Sequence, residues 1–110
     1  MVEVKEGPAG LTIPPSRHVD EIADFFKVFG DATRLKILFL LQGGELPVLS
    51  IAHELDMQQS TISQQLKLLR ATRLVKSRKA GRSIYYSLND DHIQRILALG
   101  VEHYDELFSD

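Results

Sequence analysis

The residues best suited to chemistry in this 110-residue chain are Asp90-x-His92 and, after ten intervening residues, His103-x-x-Glu106. Two imidazoles and two carboxylates are a donor set for a divalent cation such as zinc, which takes four ligands in a tetrahedron at about 2 Å. On a helix, the eleven-residue step between the histidines is three turns plus about 20°, so they share a face, about 16 Å apart along the axis. Within one helix they therefore cannot reach the same ion. Asp91 is an alternative to Asp90 because helix starts are irregular, whereas Asp105 lies two residues from His103 and so falls on another face. Cysteine is absent. That excludes disulfides, thiolate metal sites and cysteine nucleophiles, and leaves nitrogen and oxygen to hold any metal.

A second chemistry lies upstream. The net charge of −2 argues as a total against a nucleic-acid partner, but the charge is segregated. Residues 1–56 carry 5 basic and 9 acidic side chains (−4), residues 57–89 carry 7 and none (+7), and residues 90–110 carry 1 and 6 (−5). The acid-free block holds Lys67, Arg70, Arg73, Lys76, Arg78, Lys79 and Arg82, the footprint that a phosphate backbone selects. Within it Ser60, Ser63, Gln64 and Lys67 fall on one helical face, and Ile62, Leu66 and Leu69 on the other. Gln59, Ser60, Thr61, Ser63 and Gln64 can hydrogen-bond base edges or phosphates in a major groove, while Lys67, Arg70, Lys79 and Arg82 neutralise backbone charge.

Both sets of residues need helices to position them. Residues 1–15 hold three of the four prolines and no helical period, so they read as a flexible arm; residues 16–110 read as one domain. Ser16 is placed to cap a first helix through about Phe29, with Val19, Ile22, Ala23 and Phe26 on one face. Asp31 caps a second, strongly apolar helix (Leu35, Leu38, Phe39, Leu41) that stops at Gly43-Gly44. A short third helix starts at Ser50 and stops near Asp56-Met57; a fourth begins between Gln58 and Ser60 and runs to about Ala71. Two short helices across a tight turn outline a helix-turn-helix. Leu74-Val75 and Ile84-Tyr85-Tyr86 flank Ala80-Gly81 as a β-hairpin with a basic tip, placed as a wing. Asn89 caps a last helix to about Phe108. The fold class expected is mainly α with one small hairpin: a winged helix-turn-helix. His53 on the third helix reads as a packing or surface residue.

The stretches FGDATRLKILFLL and SIAHELDMQQSTISQQLKLLRATRLVKSRKAGRSIYYSL, with the acidic last helix, resemble the ArsR/SmtB family of bacterial metal-responsive winged-helix repressors over about residues 18–108. The resemblance implies a homodimer formed by the first and last helices, recognition helices in successive major grooves of an inverted-repeat, double-stranded operator, and weaker DNA affinity once metal is bound. In soft-metal sensors of the family a cysteine pair sits on the third helix. Here Pro47 and Leu49 stand at those positions, so that thiolate site is absent. The spacing of Asp90, His92, His103 and Glu106 is that of the zinc-sensing branch. If the last helices pair antiparallel about a twofold axis, Asp90 and His92 of one protomer face His103 and Glu106 of its partner, giving two sites per dimer. Ile96, Leu99 and Leu107 would form the seam, with Gly100 permitting close approach. The family also implies that the second ring N–H of His103 reaches a backbone carbonyl near Arg73.

Zinc is the expected ion, with cobalt and nickel as alternatives that would recruit further ligands such as His18; copper(II) binds more tightly in general, so selectivity rests on geometry and availability. A metal-independent winged-helix regulator is the competing reading. A metalloenzyme fits less well, because four protein ligands leave a catalytic zinc no open position. No apolar run reaches the roughly 20 residues needed to span a bilayer, and no signal peptide is evident, so a cytoplasmic protein without a membrane partner is expected.

Overall fold

The computed structural model describes residues 5–6 and 12–108. Within the segment expected to form an arm, β1 (Lys5–Glu6) and β2 (Thr12–Ile13) pair antiparallel; residues 1–4 and 7–11 of that segment lie outside the described residues. Then follow α1 (Ser16–Phe29), α2 (Ala32–Leu41), β3 (Leu46–Pro47), α3 (Val48–Leu55), α4 (Gln59–Ala71), β4 (Val75–Ala80), β5 (Ser83–Leu88) and α5 (Asp91–Phe108). This is the expected winged helix-turn-helix, five helices with a small antiparallel sheet of order β3-β5-β4.

The core forms where apolar residues of α2, α3 and α4 converge. Ile37, Leu38, Leu41, Ile51, Ile62, Leu66 and Leu69 are buried, joined by Leu74 and Val75 at the start of the hairpin and by Ile93 and Leu97 from α5. Burying one such side chain contributes about 1.5–3 kcal/mol, so the three from α4 fix the rotation of that helix. Phe39, expected in the apolar body of α2, is instead partly exposed.

Several boundaries differ from expectation, each for a local reason. Ser16 is the first helical residue and not a cap; Pro15 occupies the cap position, without a side-chain hydrogen bond. The Asp31 cap forms as expected, its carboxylate accepting from the Arg34 backbone N–H at 3.0 Å. Helix α3 starts two residues before Ser50, directly after Pro47, where the missing proline N–H costs no intrahelical bond. Leu46 and Pro47 pair with Tyr86 and Tyr85, so Pro47 stands on a short strand and not on the third helix. A two-residue strand containing proline has no period to read, although its edge position suits a proline. The last helix is capped by Asp90 instead of Asn89: Asp90 Oδ1 accepts from the backbone N–H of His92 at 2.9 Å and of Ile93 at 3.3 Å.

Helices α3 and α4 end alike. Asp56 (φ 52°) and Arg73 (φ 62°) adopt the left-handed conformation. Met57 N donates to Ala52 O and Asp56 N to His53 O; Leu74 N donates to Leu69 O and Arg73 N to Arg70 O. These are paired Schellman bonds, which satisfy the last carbonyls and turn the chain sharply. The first sets the turn between α3 and α4, and the second sends the chain straight from α4 into the wing.

Candidate nucleic-acid interface and metal centre

The expected reading face of α4 is built as its spacing requires. Ile62, Leu66 and Leu69 are fully buried, while Gln59, Ser60, Ser63, Gln64 and Lys67 are exposed and Thr61 is half-buried. Lys79 and Arg82 are exposed at the tip of the wing, where Gly81 (φ 62°) supplies the left-handed residue of a two-residue turn. Between α4 and the wing lies an open groove of about 480 Å³ lined by Ser63, Lys67, Arg70, Ala71 and Tyr86. Hydroxyl and cationic groups facing one groove suit a phosphate backbone.

Two parts of this surface escape sequence reasoning. Arg34 stands in an apolar helix, and its guanidinium returns to the C-terminal end of α1. Its Nε donates to Val28 O at 2.9 Å and Nη2 to Lys27 O at 3.5 Å, and Nη1 reaches Gln65 Oε1 on α4 at 3.4 Å. One cation thus satisfies helix-end carbonyls and touches the recognition helix. The second part is Arg78, which belongs to the acid-free block by sequence but not in space. Its Nε donates to Glu45 Oε2 at 2.8 Å, its Nη2 bonds Glu45 Oε1, and its guanidinium lies 5.0 Å from the Tyr85 ring centroid. The Arg78 hydrogen bond, aided by its charge, holds the Glu45 carboxyl below the ordinary glutamate range, against a smaller opposing contribution from desolvation.

The metal-ligand candidates divide into two pairs. Asp90 and His92 are brought together at the start of α5, with His92 Nδ1 3.5 Å from Asp90 Oδ1. Desolvation raises the Asp90 pKa, but hydrogen bonds from the Asn89 side chain and the Ile93 and His92 backbone, with the His92 charge, hold it below the ordinary aspartate range. His103 and Glu106 are exposed three residues apart near the other end of α5. Among the described residues, no three His, Asp or Glu side chains come together in a way that could hold a metal ion. The donor chemistry nevertheless fits zinc: two nitrogens and two carboxylates, with Asp90 held ionised beside His92. Asp91 is exposed in the first turn of the helix, and His18 lies half-buried on α1.

The surface between the two pairs is apolar. Every residue from Ala98 to Phe108 is exposed in the single chain, Leu99 and Leu107 by more than 60%. Ile96, expected in the same seam, is half-buried and packs on the core of its own chain. Val19, Ile22 and Phe26 on α1 are exposed as well, and a groove of about 410 Å³ runs between α1, α2 and α5 beside Gly100. Exposed apolar area on this scale marks an association surface. No helix among the described residues is long and apolar enough to cross a membrane.

The family described as bacterial regulatory protein, arsR family, matches residues 31–77. A protein described as transcriptional repressor SmtB homolog, from Synechocystis, is 37% identical over 86 residues. That match covers 78% of this chain and 65% of the Synechocystis protein, just under two thirds of its length. The HTH-type transcriptional regulator NmtR of Mycobacterium tuberculosis is 38% identical over 92 residues, covering 84% of this chain and 77% of that protein. Among solved structures, the homodimeric winged helix-turn-helix DNA-binding domain of a possible ArsR-family regulator from Mycobacterium bovis superposes with a TM-score of 0.80 at 32% identity. It covers 86% of this chain and 87% of that one.

Proposed function

The chain belongs to the arsR family of bacterial regulatory proteins, and from that premise we propose that it is a metal-responsive transcriptional repressor whose homodimer reads an inverted-repeat operator. Residues Gln59, Ser60, Thr61, Ser63, Gln64 and Lys67 of α4 contact bases and phosphates in the major groove, and Lys79 and Arg82 of the wing contact the flanking backbone. The repressor acts on a metal efflux or resistance gene. Residues 16–110 work as one DNA-binding and dimerising unit, with residues 1–15 as an arm outside it.

Asp90 and His92 of one protomer and His103 and Glu106 of its partner make up each metal site, two per dimer. The observation that carries this reading is the arrangement of α5. Two exposed donor pairs, about 16 Å apart on one helix face, border an uncovered apolar stretch. Each pair is half a coordination shell. When bound, a zinc ion held by these four residues would cross-link the paired helices. The two carboxylates would balance the charge of a divalent ion, and a set of four donors favours zinc over ions that demand more than four ligands. His103 passes the change to the reading surface by donating its second N–H to a backbone carbonyl near Arg73, at the turn that joins α4 to the wing. This coupling requires different metal affinities in the DNA-competent and DNA-incompetent dimers, and DNA must weaken metal binding by the same factor.

The test is a fluorescence anisotropy titration with an inverted-repeat fragment from upstream of the gene, with and without zinc, cobalt and nickel. Zinc is expected to weaken binding of the wild-type chain by about 5- to 150-fold. His103→Gln is expected to bind the fragment and to lose the zinc response. Release by that variant at wild-type zinc concentrations would sink the mechanism.

A further inference from the structure

The sheet divides the basic block into two faces. Side chains alternate along each strand, and directly paired residues share a face. Val75, Ser77 and Lys79 on β4 therefore lie on the same face as Leu88, Tyr86 and Ile84, their partners on β5. Val75 is buried, and Tyr86 packs on the core and lines the groove with Ser63, Lys67 and Arg70, so this face looks towards α4. Lys76 and Arg78 occupy the opposite face with Tyr85. Pro47, Tyr85 and Arg78 form one row across β3, β5 and β4. Glu45, two residues before Pro47, reaches along that face to the Arg78 guanidinium, which also stacks against Tyr85.

We propose that Glu45, Arg78 and Tyr85 form a staple across the sheet that fixes the wing relative to the helix-turn-helix, and that Arg78 is a positioning residue instead of a DNA contact. The inference rests on the proposed DNA face, in which Lys79 and Arg82 are the wing's phosphate contacts. The physical reason is geometric. A bidentate arginine–carboxylate pair holds both groups in a plane, and a cation already paired and stacked releases few counterions on meeting DNA. Glu45 immediately precedes β3 and α3, so the pair fastens the outer strand of the wing to the first helix of the helix-turn-helix. The hairpin turn is thereby held where Lys79 and Arg82 can meet the backbone.

The experiment uses the full chain and a fluorescein-labelled duplex of random sequence, with affinity measured across a salt series. Lys79→Gln is expected to reduce the slope of log affinity against log salt by about 0.9 for each phosphate that Lys79 neutralises. Arg78→Gln and Glu45→Gln are expected to weaken binding by roughly threefold while leaving the slope unchanged, the scale of an exposed ion pair. The doubly exchanged chain, Glu45→Arg with Arg78→Glu, is expected to recover affinity relative to either single exchange. A carboxylate facing a phosphate could not do so. Circular dichroism melts confirm that each variant is folded; both residues are exposed enough to be replaced without disturbing the core. A reduced slope for Arg78→Gln, or an exchanged pair no better than Arg78→Glu alone, overturns the staple. If Lys79→Gln also leaves the slope unchanged, the DNA face itself is overturned, and the staple's role in DNA binding with it.

Discussion

Helices α4 and α5 each carry an apolar stripe beside a chemically active one, yet only α4 finds cover for its apolar stripe along its whole length. Ile62, Leu66 and Leu69 are fully buried in their own chain, so the polar face of α4 is fixed in direction before any partner arrives. Helix α5 buries Ile93 and Leu97 and then leaves the core, with every residue from Ala98 to Phe108 exposed. A reading surface of the first kind is complete in one chain, and its residues can be judged one at a time. In the proposed function the second kind is half of a site, and its donors would act only against a second copy. The difference follows from the chemistry. A DNA groove is an extended ligand that a single rigid face can meet, whereas a tetrahedral ion demands donors within about 2 Å of one point.

The largest effect is expected where α4 is docked. Leu66→Ala should cost about 2–5 kcal/mol in chemical denaturation, because the methyl groups removed lie among fully buried neighbours and leave a cavity. DNA binding should fall with stability. A change of under about 1 kcal/mol would mean that α4 is not held by its inward face. The next test bears on incompleteness. Asp90→Ala with His92→Ala in one chain, and His103→Ala with Glu106→Ala in another, should each abolish tight zinc binding as separate homodimers. Mixing the two should restore one full site in each heterodimer, read by zinc titration of the purified mixed species. If the mixture stays silent, each site is not shared between protomers. A smaller effect separates the two duties of Asp90. Asn is as good a helix cap as Asp, so Asp90→Asn should melt near the wild-type temperature while losing zinc affinity; Asp90→Ala should lose both, with a melt lower by a few degrees. Equal zinc affinity in Asp90→Asn and wild type would leave Asp90 as a cap alone and move the carboxylate ligand to Asp91.

Legibility in the sequence followed the same division. The fold and the two faces of α4 were readable because a 3.6-residue period reports burial directly, and a docked helix obeys it. The basic block falls on α4 and the wing, and the acidic block on α5. What could not be read were contacts between elements distant in sequence but adjacent in space. Glu45 stands 33 residues before Arg78, and nothing local links them. Leu46-Pro47 joins the wing sheet through two residues with no period. The shift of the cap from Asn89 to Asp90 is a one-residue matter that either side chain could satisfy, and side-chain chemistry alone does not choose between them. The angular position of Ile96 predicts a place in the seam, but it lies one turn from Ile93 and is half-covered by its own core.

The mildest expected effect probes the complete region through the acid paired with its wing, Glu45. Glu45 titrates below the ordinary glutamate range because Arg78 hydrogen-bonds its ionised form. A carboxyl whose folded value is depressed contributes stability above its unfolded value and loses it as pH falls through the folded one. The contribution of the Glu45–Arg78 pair should therefore be intact at neutral pH and fade only in acid, below the ordinary glutamate value. An NMR titration of the side-chain carboxyl carbon should place the Glu45 midpoint below the ordinary glutamate value, and Arg78→Gln should return it there. The same acidification should leave the α4 packing unmoved, since none of the buried core residues ionises. Coincident loss of the wing pair and of the core would mean that the wing is an integral part of the docked unit and not an element stapled to it. A Glu45 midpoint that ignores Arg78→Gln would mean that the pair does not persist in solution.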